Sequence, residues 1–108
     1  MPIANEDLQD YVFLEQLEQE ELWSKEDLNR GRRLLQKLCR KLDKEEEPDV
    51  DTFYELTQAM AEDFNAMSEA GVRIDASARE AIENDVQTIA DAYGLDIDVE
   101  EALVTRDW

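Results

Sequence analysis

Apolar positions along this chain recur at helical pitch. Phe53, Leu56, Met60, Phe64 and Met67 step by three, four, four and three, which places them on one stripe of an α-helix. Ala59 and Ala66 lie beside that stripe, where small side chains would allow close approach of a neighbour. Asp51 and Thr52 are candidate caps, with Glu55 three residues after Thr52 in the capping-box relation. Gly71 supplies the left-handed residue that stops many helices. A second stripe follows at Ile82, Val86, Ile89 and Tyr93, with Asp75 or Ser77 to cap it and Gly94 to end it. Leu95 is placed to fold back on the last turn, as in a Schellman motif. The link from Gly71 to Asp75 is about five residues, and links that short favour antiparallel neighbours. Two helices folded on each other across Gly71 are therefore the expected centre of the fold.

The other elements are expected to lie against that pair. Residues 1–5 read as frayed or lightly packed. Asn5 can cap a first helix of about residues 6–18, whose apolar positions Leu8, Tyr11, Val12, Phe13, Leu14 and Leu17 form a stripe broad enough to be covered on more than one side. Glu15, Glu18, Glu20 and Glu21 read as solvated surface. Leu22 and Trp23 read as a hydrophobic corner, followed by Ser24 and Asp27 in a capping-box relation, with Trp23 and Leu28 as a hydrophobic staple. A second helix is expected to run to about Glu46, with Leu28, Gly31, Leu35, Leu38 and Leu42 inward and Leu34 and Cys39 beside them. Gly31 costs about 1 kcal/mol against Ala in a helix interior, so close approach of another helix, most simply the first, is its expected justification. Pro48 pushes the preceding residue out of helical conformation. Asp98 can cap a short helix of about 99–104. The pattern predicts one all-α domain over residues 1–108, an antiparallel four-helix bundle-like fold with a short fifth C-terminal helix.

Composition agrees. The 108 residues are 43% hydrophobic with three Gly and two Pro, which suits a packed helical domain better than an acidic tail. Cys39 is the sole cysteine, so no disulfide can form within the chain and a reducing cytoplasmic setting is expected. The N-terminus, beginning at Met1, shows no secretion signal, and no apolar run approaches the length of a membrane span.

Charge is the feature that stands out. Net charge is −18, from 29 acidic and 11 basic residues, which opposes general affinity for nucleic acid or anionic membrane and favours basic partners. Residues 25–44 hold eight of the basic residues against Glu26, Asp27 and Asp43. Arg33, Lys37, Arg40, Lys41 and Lys44 share one helical face. That face either neutralises the acidic helices around it or docks an acidic partner or an RNA backbone, and the global field works against the RNA version.

Several fragments resemble a family of small acidic bacterial proteins catalogued as a domain of unknown function. They include Tyr11-x-Phe13-Leu14-Glu15-Gln16-Leu17, Leu38-Cys39, Tyr54-x-Leu56-Thr57, Ala78-Arg79-Glu80-Ala81-Ile82, Ala92-Tyr93-Gly94, and Glu100-Glu101 with the closing Thr105-Arg106-Asp107-Trp108. Glu18 to Arg33 departs from it. The resemblance implies a compact helical bacterial protein and carries no activity, cofactor or catalytic residue.

Catalytic equipment is scarce. Histidine is absent, which removes the commonest general base and metal ligand and rules out Ser–His or Cys–His nucleophiles within the chain. Cys39 reads as a small buried hydrophobe. Asp96-x-Asp98-x-Glu100 alternates like the start of a calcium loop but lacks the glycine and the distal glutamate that complete one. No catalytic residue, cofactor or metal is expected. The function expected is non-catalytic protein binding of the immunity, inhibitor or adaptor kind, without nucleic acid or membrane as partner. The candidate contacts are Trp23, Arg33, Lys37, Arg40, Lys41 and Trp108, where Trp108 either docks on its own domain or stays free. A DNA mimic and a carboxylate-based cation-binding protein are the alternatives, and a homodimer through the surplus stripe of the first helix is compatible with all three.

Overall fold

Short polar side chains decide where every described helix but one begins; the exception, Glu15–Gln19, starts at Leu14 with no side-chain cap. In a computed structural model that describes residues 3–108, six helices occur among the described residues: α1 (Glu6–Gln9), α2 (Glu15–Gln19), α3 (Lys25–Asp43), α4 (Val50–Glu69), α5 (Ala76–Ala92) and α6 (Val99–Ala102). The described residues contain no strand, so the fold is all-α as expected. The side chains of Asn5, Ser24, Asp75 and Asp98 accept from backbone N–H groups and cap α1, α3, α5 and α6. At α4 the cap is Asp49, not Asp51 or Thr52; its carboxylate accepts the Thr52 N–H at 2.7 Å. That bond holds the Asp49 carboxyl below the ordinary value.

Helices α2, α4 and α5 end on one device. At α4, Val72 N–H reaches Met67 O (3.0 Å) across Gly71, whose φ is +106°. At α5, Leu95 N–H reaches Ala90 O (2.9 Å) across Gly94, at φ +71°. Both are Schellman motifs. At α2 the same motif forms between Leu22 N–H and Leu17 O (3.0 Å), but the left-handed residue is Glu21 at φ +53°. Helix α3 stops at Asp43, short of Glu46, because Glu45, Glu46 and Glu47 would place carboxylates at the negative end of its dipole.

Three expectations about packing are corrected. The first helix is broken in two, so three long helices and three short ones replace four main helices and a fifth. In an unbroken helix Leu8 and Leu17 would point to opposite sides, about half a turn apart. The break at Leu14, φ +57°, turns Leu8, Phe13, Leu14 and Leu17 all inward and leaves Val12 exposed. No surplus apolar face remains on this segment.

Second, α4 and α5 share the core but make little close backbone approach. Helix α4 packs chiefly on α3 and α6, and α5 chiefly on α2. Trp23 occupies the corner of their connection, its indole N–H donating to Arg73 O at 2.8 Å, with Val72 buried beside it. Third, α4 is rotated so that Phe53, Thr57, Met60, Ala61, Phe64 and Met67 face in, and Ala59 and Ala66 face solvent. Of the two expectations for the N-terminus, light packing is the one found at residues 3–5: Ile3 is buried, Ala4 is exposed, and Ala4 N–H donates to Asp43 at 2.8 Å. Met1 and Pro2 lie outside the described residues.

The stripe of α3 (Leu28, Gly31, Leu35, Leu38, Leu42) is buried throughout. A Cβ on Gly31 would stand 2.7 Å from Leu14 Cδ1 and 3.1 Å from Trp23 Cζ3. What approaches there is a pair of side chains, not the backbone of a first helix. The C-terminal tail is clamped on α4: Gln58 donates to Glu101 O (3.2 Å), Thr105 Oγ1 to Gln58 O (2.7 Å), Asn65 to Thr105 O (3.0 Å), and Asp107 N–H to Asn65 (2.9 Å).

Candidate functional site

Because α3 buries Leu28, Gly31, Leu35, Leu38 and Leu42, its basic residues emerge on the other side. Arg30, Arg33, Lys37, Lys41 and Lys44 are exposed and Arg40 is half-buried. Three ion pairs form among the described residues: Arg32–Glu18 (2.5 Å), Arg73–Asp75 (3.7 Å) and Arg106–Glu100 (3.0 Å). Of the basic residues between 25 and 44, Arg32 alone takes part. The others are not neutralised by direct pairing.

This basic row borders a groove between α3 and α4. Its wider part, about 390 Å³, is lined by Arg30, Arg33, Leu34 and Lys37 from α3 and by Asp63, Ala66 and Met67 from α4. A much narrower extension, about 20 Å³, is lined by Leu34, Lys37, Leu38 and Lys41 opposite Leu56, Ala59, Met60 and Asp63. The α3 wall is cationic, the α4 wall carries Asp63, and the rest of the lining is apolar. The outward Ala59 and Ala66 keep the α4 side low. The structure thus brings Arg33, Lys37 and Lys41 together on one groove.

Arg40, Trp23 and Trp108 stand apart from that lining. Trp23 is 7% exposed and bonded to the α4–α5 connection. Trp108 is half-buried, edge-to-face with Phe64 at 6.0 Å, with the Arg106 guanidinium 5.8 Å from its ring centre. It docks on its own domain.

Polar groups inside the fold hold segments together. Asp85, 4% exposed, accepts from Tyr11 O–H and from Leu14 N–H, each at 2.7 Å. Burial pushes its carboxyl above the ordinary value, against the pull of those two bonds and of Arg32. Burial and the Asp85 carboxylate push the Tyr11 phenol up to about 12. Tyr93 donates to Asp43, and burial with that bond raises its phenol likewise. Cys39 is fully buried and its thiol is pushed up to about 12, chiefly by desolvation, which is the opposite of an activated nucleophile. Sequence reasoning passed over Asp85. Its signal was position: it falls three residues after Ile82 and four before Ile89, an acid on an apolar stripe.

Among the described residues no group of three or more His, Cys, Asp or Glu is placed to hold a metal ion. A hollow of about 340 Å³ at α6 is lined by Asp98, Glu100 and Glu101, and Glu100 is already paired with Arg106. Among the described residues no helix is long and apolar enough to cross a membrane.

Fold and site together define a small helical protein whose described residues form a groove with a cationic α3 wall in an otherwise acidic chain. It belongs to a family of unknown function, DUF5713, whose model matches residues 7–108, in keeping with the resemblance noted in the sequence. Searches of curated proteins and of solved structures each return no match.

Proposed function

We propose that this protein is a non-catalytic protein-binding module of the immunity, inhibitor or adaptor type, acting in a bacterial cytoplasm. The observation that carries the reading is the unpaired basic row of α3, set beside an aliphatic groove. Unpaired cations grouped on one face repel one another at short range, even in a chain of net charge −18 and with Arg40 and Lys41 suited to the dipole at the end of α3. A partner's carboxylates would relieve that repulsion. The rest of the surface is acidic and turns away polyanions, which favours protein over nucleic acid. The absence of histidine and the inert thiol of Cys39 speak for binding rather than catalysis.

The test is affinity capture from cells with the wild-type chain and an R33E/K37E/K41E variant, at low and high salt. A defined protein recovered by the wild type and lost on charge reversal supports the reading. Recovery of no partner, or of the same partners by both chains, defeats it.

A further inference from the structure

Resting on that reading, we propose that the α3–α4 groove takes an acidic amphipathic helix from a partner protein. Dimensions come first. The basic wall from Arg30 to Lys41 is eleven residue steps of α3, about 16 Å at 1.5 Å per residue, or three helical turns. A helix of that length presents apolar residues at i, i+4, i+7 and i+11. The floor matches such a ridge, for Leu34 and Leu56 are half-buried and reachable from the groove. Ala59 and Ala66 are exposed and small, which lets a docked backbone come close.

Charge then selects the sign. Arg30, Arg33, Lys37 and Lys41 face the groove against the single carboxylate of Asp63. Carboxylates flanking the apolar ridge would meet these cations. The general acidity of the molecule is screened beyond about 8 Å at physiological salt, so a short segment seated in the groove feels the local cations. A nucleic-acid strand would run past the groove onto acidic surface. The groove also offers it no aromatic platform for base stacking. A second copy of this chain fits poorly too. Its large exposed apolar residues, Val12, Leu22 and Val104, are isolated from one another in sequence and form no ridge at helical spacing.

The experiment uses the full chain and a fluorescent synthetic helix of about 15 residues, with leucines at the four ridge positions and glutamates beside them. A scrambled peptide of the same composition and a single-stranded oligonucleotide serve as controls. The ordered peptide is expected to bind about tenfold or more tighter than the scrambled one, with affinity falling as salt rises. A66W and A59W fill the groove from exposed positions, so the melting temperature is expected to hold while peptide affinity drops about tenfold. Equal binding of ordered and scrambled peptides, tighter binding of the oligonucleotide, or no effect of A66W overturns the inference. So does a dimer in sedimentation that A66W abolishes, since the occupant would then be a second copy. If no peptide binds while cellular capture still loses a partner on charge reversal, the helix inference fails and the protein-binding reading stands. If capture is also insensitive to charge reversal, both fail.

Discussion

Asp85 ties together the part of the chain that departs most from regular helix. Its two oxygens take the Tyr11 hydroxyl and the Leu14 amide, and the Leu14 amide belongs to a residue at φ +57°. A bulky side chain in that conformation costs on the order of 1–2 kcal/mol, so the carboxylate and the buried leucine side chain together hold it. D85A leaves the Leu14 N–H and the Tyr11 hydroxyl unsatisfied, and is expected to lower unfolding free energy by about 3 kcal/mol in urea titration. Y11F removes one hydrogen bond and is expected to cost about 1 kcal/mol. The Tyr11 phenol gives the same contact a signature in base. Its folded value is raised to about 12 and its unfolded value is near 10. Between these limits the unfolded chain ionises first, so stability falls as pH rises through the interval. Glu21 is the other left-handed residue, and it sits on the surface. E21G is expected to raise stability by about 0.5–1 kcal/mol, read as an upward shift in melting temperature of a few degrees.

At the scale of elements, helices whose apolar residues keep one period were legible before any coordinates. Helix α3 follows its stripe, from the Ser24 cap to Leu42, and α5 runs from the Asp75 cap to its closing motif at Gly94. The boundaries of α1 and α2 were hidden because their break depends on Asp85, more than seventy positions away, and because Glu21 does the work that glycine does at Gly71 and Gly94. Which helices pair was hidden too: short links suggest neighbours, but α4 packs chiefly on α3 and α6, and α5 on α2. The basic face of α3 was legible from spacing. Its groove was not, because it depends on how far α4 rotates to expose Ala59 and Ala66. Gly31 provides a test of packing against propensity. Alanine would gain about 1 kcal/mol in helix propensity, yet its methyl would overlap Leu14 and crowd Trp23. Overpacking costs about 1–3 kcal/mol, so G31A is expected to destabilise by about 1 kcal/mol in the same titration.

Across the whole molecule, the charge of −18 predicts a dependence on salt and acid. Screening lessens self-repulsion, so melting temperature is expected to rise with added sodium chloride. It is also expected to rise as pH falls from 7 toward 5. Asp85 adds to that trend. Its folded carboxyl titrates above the ordinary value, so its share of stability is full below about pH 4 and is lost as pH rises through the folded value. Asp49 acts against it only at lower pH. Its folded value is depressed, so its share is present above about pH 4 and is lost as pH falls through the folded value. A stability maximum on the acid side of neutrality is the expected curve; a flat profile between pH 5 and 7 would contradict it.

The clamp that Gln58 and Asn65 place on the last residues makes local opening visible by light. Trp23 is sealed inside and Trp108 is half open, so their emission and their quenching by acrylamide differ. An N65A chain would free Trp108 first, reddening part of the fluorescence while the far-ultraviolet helical signal stays in place. The protein thus carries its own two-colour gauge, one indole for the core and one for the tail.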